Sequence, residues 1–253
     1  MLQKAAYGLR DAPLLWHLKA CEVLRENRYK ATLHDACTFV LREEGSHKLV
    51  AILTVHVDDL LVAAMPKQIK ALETFLSAAF GNLTLDNAVK GFRHFGVDLT
   101  YDQKMRKITS SQLHYVNDLT LIETPKRVNK TLPCPPEIVT QYRASVSAVA
   151  WVGVTSPWAL ASASMLQGCL PTPTWNDVYR LNANILQLKQ TYKPLQYTYL
   201  EPPLRLINIA DSSFANTGGK YSQGGFMILL TSEKDNHVAV SYTHLTLPTN
   251  REV

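Results

Sequence analysis

Thr54-Val55-His56-Val57-Asp58-Asp59-Leu60-Leu61-Val62-Ala63-Ala64 sets two adjacent aspartates between two apolar runs, and no stretch of the chain limits its fold more. Ionised carboxylates disrupt a buried strand unless they stand at its end or at a hairpin tip. The flanking runs therefore read as an outgoing and a returning strand, with the aspartates at the bend. Two carboxylates side by side repel, and a hard cation such as Mg²⁺ offsets that cost. On this window alone two readings stay open: a compact metal platform, or a two-residue surface turn with solvated acids.

At 253 residues the chain can fill one large domain or two small ones around a sizeable core. A hydrophobic fraction of 46% with 19% charged residues argues against global disorder. No apolar run approaches the length of a membrane span, and Met1 to Gly8 holds no signal-peptide apolar region. Cys21, Cys37, Cys134 and Cys169 are scattered, with no Cys-x-x-Cys pair. They read as reduced thiols of an intracellular protein, not as a disulfide frame or a zinc site.

The net charge of +5 permits a polyanionic partner without requiring one. Lys90-Gly91-Phe92-Arg93-His94 and Lys104-Met105-Arg106-Lys107 place cations beside strand-like segments, where a phosphate backbone could lie. Solvated hairpin edges, kept from aggregating by charge, account for the same clusters. His94 and His114 each lack a ligand partner at i+4 and read as packing or surface histidines. Trp16 and Trp151 fall on helix faces that read as core.

Asp11-Ala12-Pro13 opens a helix that fades near Asn27, with Leu14, Leu15, Leu18, Cys21 and Leu24 at helical spacing. Strands follow at Cys37 to Leu41 and Lys48 to His56, then the Asp pair and Leu60 to Ala64. A helix from Pro66 stops at Gly81. Two strands, Phe95 to Tyr101 and Arg106 to Thr109, precede a helix capped by Ser110 or Ser111 and running through Leu119. Pro125 to Pro136 is polar and proline-interrupted, the best linker candidate. Helices are expected over Gln141 to Val154, Pro157 to Cys169 and Trp175 to Gln190. Strands near Leu195 to Leu200, Leu204 to Ala210 and Gly224 to Leu230 open a second sheet. The class is α+β.

Tyr7-Gly8-Leu9-Arg10-Asp11-Ala12-Pro13 with Trp16 resembles the Tyr-Gly-Leu-x-x-Ala-Pro-x-x-Trp block of copia-type retrotransposon reverse transcriptases. Asp35-Ala36-Cys37-Thr38-Phe39 resembles their Asp-x-x-x-Phe segment, and His56-Val57-Asp58-Asp59 takes the place of their Tyr-Val-Asp-Asp box. Three blocks in order and at the right intervals are specific where a lone Asp-Asp is not. Tyr142-Arg143-Ala144-Ser145-Val146 and Thr155-Ser156-Pro157-Trp158-Ala159-Leu160-Ala161 resemble later segments of the same polyproteins. Ala210-Asp211-Ser212-Ser213-Phe214-Ala215 and Ser222-Gln223-Gly224-Gly225 resemble the first strand and hairpin of the attached ribonuclease H. The departures are His56 for Tyr, Ser156 for Arg and Trp158 for Asp.

The resemblance implies a partial polymerase palm and thumb-like region over 1–124, a linker over 125–140, a helical connector over 141–194 and the start of a ribonuclease H-like domain over 195–239. It implies RNA-directed DNA synthesis, in which two Mg²⁺ (or Mn²⁺) ions about 3.5–4 Å apart clamp the attacking and leaving oxygens. Asp58 and Asp59 would supply two of three polymerase carboxylates, and Asp211 the first ribonuclease H ligand. On its own residues Asp211 reads as a turn or helix cap at a strand end. His56 would pack under a primer nucleotide, with less stacking area than tyrosine. Lys90, Arg93, Lys104 and Arg106 would meet the nucleic-acid backbone.

The implied partners are an RNA template, a DNA primer, dNTPs and the rest of the polyprotein. The setting is a cytoplasmic particle or the nucleus, with DNA integration downstream. The family's third aspartate lies upstream of the Tyr-Gly-Leu block, where this chain begins, so the isolated chain is expected to be inactive. A non-catalytic nucleic-acid-binding remnant is the alternative. An unrelated two-metal phosphohydrolase would need clustered acids, and Asp86 and Asp98 sit in no ligand pattern.

Val240-Ser241-Tyr242-Thr243-His244-Leu245-Thr246-Leu247-Pro248-Thr249-Asn250 matches nothing in the family at that place. It resembles a frame translation of a transposase-type sequencing adapter. The natural sequence is then expected to end near Ala239, leaving 240–253 as an artefact that packs poorly. The alternation of Val238, Val240 and Tyr242 supports a real strand instead.

Overall fold

A computed structural model describes residues 10–217, 221–234 and 238–246. The chain divides into two compact units at Leu85/Asp86, a boundary of packing that lies within the 1–124 segment. The architecture is α+β with antiparallel sheets throughout.

The first unit is a four-stranded sheet backed by two helices. Helix α1 (Ala12–Glu26) begins after Asp11, with Pro13 in its first turn, where the missing N–H costs nothing. Asp11 occupies the cap position without making a side-chain capping bond. Strands β1 (Lys30–Ala31), β2 (Thr38–Arg42), β3 (Leu49–His56) and β4 (Asp59–Ala64) pair in sequence order. Helix α2 (Pro66–Phe80) follows at once and ends at Gly81, whose φ of 90° no side-chain-bearing residue adopts comfortably.

Period-2 alternation decides which face of this sheet is covered. Phe39, Ala51, Leu53 and Val55 are buried and pack with Cys21, Leu24, Leu72 and Leu76 of the helices. Each such side chain contributes about 1.5–3 kcal/mol by leaving water. Leu14, Leu15 and Leu18, read as part of α1's apolar spacing, are instead exposed. The opposite sheet face carries Thr38, Val40, Ile52, Thr54, His56, Asp59, Leu61 and Ala63, and among the described residues neither α1 nor α2 packs its core residues there.

The second unit holds strands β5 (Phe92–His94), β6 (Val97–Asp102) and β7 (Lys107–Ser111), then helices α3 (Leu113–Asp118), α4 (Pro136–Val152), α5 (Pro157–Gln167) and α6 (Trp175–Thr191). The strand expected from Phe95 begins at Val97, because Phe95 and Gly96 form a tight turn with φ of 51° and 67°. The helix expected from Gln141 starts at Pro136, where proline again occupies the first turn.

The stretch before it is polar and proline-interrupted, yet it is tied down. Cys134 N donates to Pro173 O at 2.9 Å, Asn176 N to Lys130 O at 2.9 Å, and the Asn182 amide bonds both backbone groups of Ile122. A core of Tyr142, Val146, Val149, Val152, Val178, Leu181 and Ile185 joins the helices. Trp151, read as core, is 41% exposed; only its indole edge is engaged inward.

Strand β8 (Leu195–Thr198) does not open a new sheet. It pairs with β7, from Lys107↔Thr198 to Ser110↔Leu195, and completes the order β5-β6-β7-β8. The separate three-stranded sheet is β9 (Leu204–Thr217), β10 (Tyr221–Ser232) and β11 (Val238–Thr246), with β10 central. The segment from Val240, expected to pack poorly, runs as a strand along β10 over its described backbone. Its side chains and residues 247–253 lie outside the described residues, as do Tyr7, Gly8 and Leu9. No described helix is long and apolar enough to cross a membrane.

Candidate active site

The hairpin of β3 and β4 closes with a two-residue turn. His56 pairs with Asp59, leaving Val57 and Asp58 as its central residues. The two aspartates therefore take different stations. Asp58 rides the bend, while Asp59 starts the returning strand, across the ladder from His56 on the uncovered face. Val57 holds φ at 50°, a conformation that suits glycine and costs a β-branched residue about 1–3 kcal/mol. Strain of this kind gathers at functional sites.

Residues 56–59 are all exposed. Neither aspartate makes a side-chain hydrogen bond or ion pair among the described residues. Two adjacent carboxylates with no Lys or Arg ion-pair partner among the described residues offer hard oxygen donors of the kind Mg²⁺ or Mn²⁺ takes. Among the described residues no group of three His, Cys, Asp or Glu side chains is poised to hold a metal. Among the described residues the hairpin tip thus offers two adjacent carboxylates and no third ligand grouped with them.

Asp35 shows how the same end of the sheet is built. Its carboxylate accepts from Cys37 N at 2.9 Å and from the Thr38 hydroxyl, and these bonds hold its pKa below the ordinary range. The turn they fix starts β2, delivers Phe39 to the core and presents Cys37 O to Val55 N at 2.8 Å. The Asp-x-x-x-Phe spacing is thus a strand-starting device beside the end of β3.

Residues 1–131 match the reverse transcriptase (RNA-dependent DNA polymerase) family. The chain belongs to that family. It is similar to two copia-type retrotransposon polyproteins. One is the retrovirus-related Pol polyprotein from transposon TNT 1-94 of Nicotiana tabacum, 28% identical over 116 residues, 46% of this chain and 8% of that protein. The other is the retrovirus-related Pol polyprotein from transposon RE1 of Arabidopsis thaliana, 23% identical over 245 residues, 90% of this chain and 16% of that protein. The chain thus spans a small part of either relative's length. No solved structure matches it.

The basic residues lie in the second unit of this reverse transcriptase segment. Arg93 is committed to Asp98, through Nε at 2.7 Å and Nη2 at 3.3 Å, and His114 Nδ1 meets the same carboxylate at 2.9 Å. The Arg93 bond, followed by its charge and that of His114, holds the Asp98 pKa down against partial burial. Arg106 lies 3.3 Å over the ring of Tyr199. Lys90 follows the β5 approach, and Lys104 extends from the Asp102 turn, both exposed. Asp211 stands within β9 rather than at a strand end, exposed, with Oδ1 accepting from Ser212 N at 2.8 Å.

Sequence reasoning passed over two groupings. Asp98 and His114 meet because β6 pairs with β7 in a register that sets Asp98 opposite Ser111, three residues before His114, and no spacing announces that. Gln112, fully buried, sits where β7, α4 and α6 converge. With its amide oriented to satisfy both ends, Oε1 accepts from Trp151 Nε1 at 2.9 Å and Nε2 donates to Thr155 Oγ1 at 2.8 Å. Tyr192 OH accepts from Gln112 N at 2.6 Å and completes the network.

Proposed function

We infer that the chain is a segment of a retroelement RNA-directed DNA polymerase, with Asp58 and Asp59 as two of its metal-binding carboxylates. The observation that supports this reading is the exposed, unneutralised Asp pair at the tip of a helix-backed hairpin, within the stretch that matches the family. When bound, divalent ions there would stabilise charge developing on the transferred phosphoryl group. The chain's own contribution is positional: β3 and β4 hold Asp59 on the ladder and Asp58 at the bend, and His56 lies on the face where a primer terminus would rest.

The substrates of this reading are a primed RNA template and dNTPs, in the context of a longer polyprotein. Residues 195–239 are read as the start of a ribonuclease H-like domain, with Asp211 as its first metal ligand, although Leu195–Thr198 pairs with β7 and the separate sheet begins at Leu204. The domain limits 1–124, 125–140, 141–194 and 240–253 stand with the same reading. Two carboxylates position ions poorly without a third, and positioning is most of what catalyses phosphoryl transfer. On this reading the chain by itself, with no third carboxylate grouped with the pair among the described residues, is inactive in primer extension.

Primer extension on a primed RNA template with Mg²⁺ and dNTPs tests this. No incorporation by the isolated chain is expected, and incorporation abolished by Asp59→Ala would overturn the inactivity. Joining the chain to an upstream polymerase segment of a copia-type relative is expected to give incorporation that both Asp58→Asn and Asp59→Asn abolish. Incorporation that survives both substitutions would remove the assignment of the pair.

A further inference from the structure

Strand β9 ends its sheet, so one side of its backbone pairs with β10 and, among the described residues, no strand pairs with the other. From Leu204 to Ser212 its residues are exposed, Ile207 excepted, and Leu206 and Ile209 are 66% and 54% exposed. The strand contains neither proline nor lysine, the residues that usually blunt an edge. Such an edge is a template for another strand.

The edge's own sequence selects that strand. Arg205-Leu206-Ile207-Asn208-Ile209-Ala210-Asp211 is complementary to its reverse. Laid antiparallel with Asn208 on a two-fold axis, Arg205 of each copy stands opposite Asp211 of the other. Ile207 then faces Ile209, and Leu206 faces Ala210. Residues directly opposite share a sheet face, so one face reads charge pair, two isoleucine pairs, charge pair. Every other antiparallel register separates the two charges. Like-with-like contact about a two-fold axis requires this self-complementarity, which a heterologous partner would not impose.

We propose that the free edge of β9 pairs with the same edge of a second copy of this chain, joining two three-stranded sheets across a two-fold axis at Asn208. The contact does not depend on Asp58 or Asp59, but it engages Asp211 as an ion-pair partner, a role alternative to the metal ligation read for that carboxylate above. It makes the chain a dimer whose register is set by charge.

Sedimentation velocity of the full 253-residue chain over a range of concentrations is the test. A concentration-dependent dimer is expected. Arg205→Asp or Asp211→Arg places like charges opposite each other twice per dimer and is expected to weaken association about tenfold. The double variant carrying both substitutions is expected to restore it, which also shows that neither change unfolds the chain. Asn208→Cys, oxidised with glutathione disulfide, is expected to give a Cys–Cys crosslink between the two copies of position 208, identified by mass spectrometry. Opposed Cα atoms about 4.5–5.5 Å apart suit a disulfide. A monomer at every concentration, a dimer indifferent to the single reversals, a double variant that stays monomeric, or no crosslink at position 208 would each overturn the proposal.

Discussion

Asp177 in the second unit and the pair Asp58–Asp59 in the first keep opposite company. Asp177 starts α6, nearly buried, in a capping box: its carboxylate accepts from Thr174 N at 2.9 Å and Thr174 Oγ1 at 2.7 Å. Arg180 lies 3.6 Å away. Burial alone would raise its pKa, but the Thr174 bonds, with Cys169 and Arg180, outweigh burial and hold it below the ordinary value. Asp58 and Asp59 receive no such help, although a single lysine on β4 would supply it. An acid that serves the fold is surrounded by donors, whereas these two meet no side-chain partner among the described residues.

The scale is set by the core beneath Asp177. Leu181→Ala, at a position with no exposure, is expected to cost about 2–5 kcal/mol in urea unfolding, and Leu53→Ala in the first sheet a similar amount. A much smaller loss at either would show that the site relaxes around the cavity. Asp177→Ala removes half of the capping box and is expected to cost about 1–2 kcal/mol near pH 7.

The sign of its pH dependence follows from the depressed pKa. The stabilisation is full above the unfolded carboxylate range and is lost as pH falls through the lower folded pKa. Wild type and Asp177→Ala should therefore converge in stability in strong acid, and a gap that persists there would mean the loss is one of packing. The smallest effect belongs to the hairpin. Asp58→Asn and Asp59→Asn are expected to stay within about 0.5 kcal/mol of wild type, on the stabilising side as repulsion is relieved. A loss above about 1 kcal/mol at either would break the comparison, since it would reveal a structural role.

Much of the first unit was legible because its signals are local. Asp11-Ala12-Pro13, the alternation of Ala51, Leu53 and Val55, and Pro66 with Gly81 each announce their element within a few residues. The turn at Phe95–Gly96 was hidden because a phenylalanine at φ 51° is not a turn signal, so the strand read as starting at Phe95 and β5 was missed. Pro135-Pro136 reads as a break, yet the second proline begins α4. The pairing of β8 with β7 has no local trace, as nothing in Leu195–Thr198 says which edge it will meet. The Asp pair was visible as a motif, but its split between bend and ladder, and the strain at Val57, needed the register.

That distant β7–β8 pair also orders events in time. Every hydrogen-bonded neighbour in the sheet β1–β4 is adjacent in sequence, so it can form as soon as Ala64 and the helix after it have left the ribosome. Lys107 and Thr198 are about 90 residues apart, and pairs of such separation form slowly because chain entropy is lost before contact repays it. The edge of β7 must wait while α3 to α6 are made and gathered. During synthesis the β3–β4 hairpin is thus mature while the second unit still lacks a strand, and a waiting strand edge is where chaperones and stray chains first find purchase.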